Sequence, residues 1–103
     1  MSAIVPVVHD LTRHFAQLTL DDGCLPIEVG PSFWEEGVDA LPPGRLVSLI
    51  VSDSDWASWE RHPNGEEMII QLSGELALLL EINGATIERR LRRGEFLIVP
   101  RAV

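Results

Sequence analysis

Beyond Gly44 the chain falls into a regular series of short, largely apolar runs, each cut off by turn-forming residues. The runs cover residues 45–52, 56–61, 67–72, 75–82, 85–91 and 95–99, five to eight residues apiece. Between them stand Asp53-Ser54-Asp55, Pro63-Asn64-Gly65, Ser73-Gly74, Asn83-Gly84 and Arg93-Gly94. Asn83-Gly84 is the strongest of these signals, because a tight hairpin loop needs positive φ at both central positions. Strands of this length, spaced by such turns, predict an antiparallel sandwich or barrel. Ahead of them the rhythm differs. Leu11, Phe15 and Leu18 recur at i, i+4 and i+7 behind Asp10, which predicts an N-capped helix ending at Asp21-Asp22-Gly23. A brief strand over 26–29 comes next, then a proline-containing loop with Phe33 and Trp34 as anchors, running to Gly44. The expectation is one all-β domain over 1–103, with helix, short strand and loop in 1–44 and the barrel core in 45–103.

Composition and charge narrow the partners. Hydrophobic residues make up 46% and charged residues 23%, a globular mixture, yet the net charge is −8 and lysine is absent. A uniform negative field repels phosphate backbones and anionic lipid, so neither nucleic acid nor a membrane surface is an expected partner. No apolar run nears the ~20 residues that cross a bilayer. The N-terminus lacks the basic n-region of a signal peptide, so a cytoplasmic location is expected. Arg89, Arg90, Arg92 and Arg93 divide between both faces of their strand with Glu88 and Glu95 beside them, which predicts a partly paired rim rather than an anion site. A lone Cys24 builds no internal disulfide. Trp34, Trp56 and Trp59 read as core or loop anchors, and His9 and His14, at the ends of the predicted helix, show no ligand spacing.

The chemistry concentrates in residues 59–74. On a strand over 56–61 extended to the turn, Glu60 and His62 point to one face, and Pro63-Asn64-Gly65 returns a carboxylate opposite them. Two carboxylates and an imidazole are oxygen and nitrogen ligands suited to a first-row divalent metal. Gln71 lies on the Glu67 face, where it either bonds a substrate or is satisfied within the protein. Taken alone, His62 reads more simply as a rim imidazole at the turn, and Glu60 as an exposed charge.

These residues resemble the cupin superfamily. Its first motif runs Gly, five residues, His-x-His, three or four residues, Glu, six residues, Gly. His62 fits the second histidine, Glu67 follows after four residues and Gly74 after six more, with Glu60 at the first histidine position. The second motif opens Gly, five residues, Pro-x-Gly. Gly94 and Pro100 fit it, with Ala102 in place of the last glycine, and the chain ends at Val103 before that motif's histidine. The resemblance, over roughly residues 45–103, implies an antiparallel jelly-roll barrel, here expected to lack its C-terminal strands. It also implies a divalent metal (Mn, Fe, Ni or Zn) held by Glu60, His62 and Glu67, with a small molecule bound beside it near Gln71. Ligand hardness favours Mn²⁺ or Fe²⁺. The alternative is a metal-free binding or sensor module. Cupins carry many chemistries, so the fold implies no particular reaction. An unfinished barrel exposes strand edges and apolar surface, which predicts a homodimer.

Overall fold

The segment after Asp10 is a strand, not a helix. The computed structural model describes residues 5–56, 59–61, 65–101 and 103, and within them β1 spans His14–Thr19. Asp10 does cap a turn, but a single one. Its carboxylate accepts from the amide (2.9 Å) and hydroxyl (2.7 Å) of Thr12, and its carbonyl accepts from the amides of Arg13 and His14, both at 2.9 Å. The same side-chain chemistry that starts a helix also closes an isolated turn. Beyond that turn the chain obeys a period of two. Phe15 and Gln17 are buried on one face, while Leu18, which a helix would have placed beside Phe15, is exposed on the other.

The chain divides into two units, Met1–Asp55 and Trp56–Val103. In the first, β1 is central in a sheet with β2 (Cys24–Glu28) and β3 (Gly44–Val47), all antiparallel in the order β2-β1-β3. The β1–β2 turn is closed by reciprocal bonds between Thr19 and Gly23, and the Thr19 hydroxyl donates to the Asp21 carboxylate. Gly44 lies opposite Thr19, and a Cβ there would overlap the Leu18 carbonyl, so the strand pairing itself demands glycine. Between β2 and β3 a wide helical turn, Phe33–Gly37, runs into a 3₁₀ turn, Val38–Ala40. It seats Phe33 edge-on against Phe15, with ring centroids 5.2 Å apart, and Trp34 touches both rings. Buried Gln17 fastens the loop beyond by donating its amide to the Pro42 carbonyl at 2.7 Å.

The second unit is a long antiparallel hairpin with a break in the middle. β4 (Glu67–Ile70) pairs with β7 (Phe96–Val99), and β5 (Glu75–Ile82) pairs with β6 (Ala85–Arg92). Asn83 and Gly84 close the far end with φ of 51° and 79°, as the hairpin signal predicts. At the break, the Gln71 amide donates to Glu95 while the Gly94 amide donates to the Gln71 carbonyl, so two residues face one. This is a β-bulge led by a left-handed glycine, Gly94, with φ of 86°. The Glu95 amide donates to the Arg92 carbonyl and the Glu95 carboxylate accepts from the Arg92 amide, which tightens the same turn.

Three expectations differ from the structure: the 56–61 strand, Trp56 and Trp59 as anchors, and the full extent of the 45–52 strand. The described residues of 56–61 form no strand, and Trp56 and Trp59 are 56% and 62% exposed rather than anchoring. The 45–52 strand ends at Val47. The fold class is all-β, and the described residues form three small sheets. Among the described residues the buried apolar core is small: Phe15, Phe33, Leu91 and Val99.

Candidate functional site

The bulge fixes what β4 presents. Along it Glu67, Ile69 and Gln71 are half-buried, while Met68, Ile70 and Leu72 are exposed. Directly paired residues share a face, so Glu67 stands opposite buried Val99 and Ile69 opposite half-buried Leu97. A carboxylate and an amide therefore share a face with apolar side chains, with Ile69 between them. The Gln71 amide donates to the Ser73 carbonyl at 2.6 Å, which ties its side chain to the corner that Gly74 turns with φ of 69°.

Of the four residues expected at the site, Glu67 and Gln71 lie on this face of the ribbon. Glu60 is exposed and belongs to no strand, so the strand argument for its orientation does not apply. His62 lies outside the described residues. Among the described residues no three His, Cys, Asp or Glu side chains group as a metal-ligating set.

The arginine cluster behaves as a rim. Arg90 reaches Glu75 and Glu88, each at 3.8 Å, from a largely exposed position. Arg89, on the opposite face of β6, donates to the Glu88 carbonyl at 2.9 Å. Exposed pairs at such distances contribute little to stability.

A second arrangement, in the first unit, is not legible as a helix pattern. The Asp10 turn folds His9 back so that its ring centroid lies 5.1 Å from that of His14, at an interplanar angle of 54°. The pair borders a cavity of about 280 Å³ whose wall includes Leu11, Ala16, Cys24 and Pro26. The Thr12 hydroxyl, then its amide, hold the Asp10 carboxyl below the usual carboxylate range. The sequence signal is Asp10-x-Thr12, which supports a one-turn reversal as readily as a helix start.

Comparison with known protein families, curated proteins and solved structures finds no match to this chain. Among the described residues no helix is long and apolar enough to cross a membrane.

Proposed function

We propose that the chain is a cupin-like protein that binds a small molecule beside a divalent metal held by Glu60, His62 and Glu67. The observation that carries this reading is the corner of the ribbon. The glycines of the two motif-like stretches, Gly74 and Gly94, both take positive φ where β4 and β7 give way to β5 and β6. Two spacings that match in sequence thus serve one structural purpose. Glu67 and Gln71 sit on one face beside that corner.

The donor set fits the metal. Two carboxylates and one imidazole are hard-to-borderline ligands, which suit Mn²⁺ or Fe²⁺ better than Cu²⁺ among first-row ions. A metal bound there supplies Lewis acidity and open positions for a ligand. The chain's own contribution is to hold Glu67 at the start of a hydrogen-bonded strand and to present Gln71, whose amide exchanges Ser73 for a ligand carbonyl. Equilibrium dialysis against Mn²⁺ with metal analysis of the dialysed protein tests this. The expected result is near-stoichiometric uptake that Glu67→Gln weakens and His62→Ala abolishes. No uptake at high added metal would favour the metal-free binding module.

The same reading includes self-association. Met68 pairs with Ile98 and Ile70 with Phe96 on the outer face of the β4–β7 ribbon, and each is about half exposed. An apolar ribbon face of this kind favours burial against a second copy, which supports a homodimer.

A further inference from the structure

We propose that His9 and His14 form a second metal site, a two-imidazole chelate for a divalent ion of the Zn²⁺ type, separate from Glu60, His62 and Glu67. Neutral imidazole nitrogen is the preferred protein donor for such borderline ions. With Zn–N bonds near 2.0–2.1 Å, two donors on one tetrahedral ion stand roughly 3.4 Å apart. Ring centroids 5.1 Å apart and inclined by 54° are close enough for one nitrogen of each ring to meet a shared ion after side-chain rotation. Face-to-face stacked rings would direct their nitrogens away from a common point, and these rings are not so arranged.

The backbone has already been brought into place. Four hydrogen bonds close the turn between the two histidines, from the Thr12 amide and hydroxyl to the Asp10 carboxylate and from the Arg13 and His14 amides to its carbonyl. His14 is further fixed by opening β1, where it pairs with Glu28. These bonds order residues 10–14, which lowers the entropy cost of bringing His9 and His14 onto one ion. The carboxylates of Asp10, next to His9, and Glu28, paired with His14, attract a cation, while the Arg13 guanidinium, which acts on Asp10, opposes it.

Two protein donors leave coordination positions open, because among the described residues no third His, Cys, Asp or Glu completes the set. The adjoining cavity of about 280 Å³ gives those positions room for water or a small anionic or nitrogenous ligand. The site is thus an exchangeable metal site rather than a closed structural one.

The test is a Zn²⁺ titration of the full chain that monitors the imidazole resonances of its three histidines. The expected result is that His9 and His14 shift together and saturate with one ion, unaltered by His62→Ala or Cys24→Ser. His9→Ala, at an exposed position that does not endanger folding, should lower the affinity roughly tenfold or more. His14→Gln should do the same, with the strand signal in circular dichroism retained. Shifts confined to His62, binding lost with Cys24→Ser, affinity within about twofold in His9→Ala, or no shift at millimolar Zn²⁺ would each overturn the proposal.

Discussion

Single residues in the first unit do opposite kinds of work, and Gln17 separates them. Its amide nitrogen holds the Pro42 carbonyl, yet its buried carbonyl oxygen, Oε1, has no hydrogen-bond partner. Removing the whole side chain should cost about 2 kcal/mol, through the void it leaves and the lost loop contact. Gln17→Met keeps the volume and deletes the unpaired oxygen, so it should stay within about 1 kcal/mol of the parent. Urea denaturation of both variants checks the difference. Asp10 and Asp21 make a pH prediction. The Thr12 hydroxyl and amide lower the Asp10 pKa, and the Thr19 hydroxyl together with backbone amides lowers that of Asp21. A depressed folded-state pKa contributes stability that is present above the unfolded value of about 3.9 and lost as pH falls through the folded value. Carboxyl-carbon titration should therefore give both groups midpoints below the ordinary Asp range, and Asp10→Asn should flatten the acid limb of stability. A midpoint at the ordinary value would contradict the role of these turns. Residue chemistry is only half legible here: Asp10 reads as the cap of a helix, and it closes a single turn ahead of a strand instead.

At the scale of elements, legibility depends on whether one period or two can explain a segment. β5 and β6 are readable at Glu75–Ile82 and from Ala85 because their hairpin loop admits little else and the alternation is long. The segment 11–18 satisfies a helical spacing with three residues, while Phe15 and Gln17 satisfy a strand spacing that a polar glutamine conceals. Burying that glutamine requires the Pro42 carbonyl, a partner 25 residues away, which no local pattern encodes. The bulge is hidden for a similar reason. Arg93-Gly94 reads as a turn, and it is one, but its opposition to Gln71 is a tertiary fact. Gly94→Ala forces a side chain into the left-handed region and should cost about 1–2 kcal/mol. Gly44→Ala should cost more, because it adds backbone overlap to a similar conformational demand. Comparing the two thermal midpoints tests the order, and equal losses would contradict it.

For the whole molecule, the small buried core and the exposed apolar ribbon face belong together. Burying Ile70 and Phe96 against a second copy would recover part of the stabilisation that each apolar side chain gains on leaving water, roughly 1.5–3 kcal/mol when complete. Multi-angle light scattering should give a dimer mass for the parent chain and a monomer mass for Ile70→Glu, which places a charge in that face. A monomeric parent would contradict the association. The proposed metal would take its donors, Glu60, His62 and Glu67, from the motif-like spacing, and the strand under Glu67 comes from the fold. The most direct measurement is pulsed electron paramagnetic resonance of the Mn²⁺-loaded His9→Ala/His14→Gln variant, in which His62 is the remaining histidine. The predicted result is nitrogen coupling from one imidazole, absent after His62→Ala. Bound Mn²⁺ without that coupling, or coupling that survives His62→Ala, would contradict the claim.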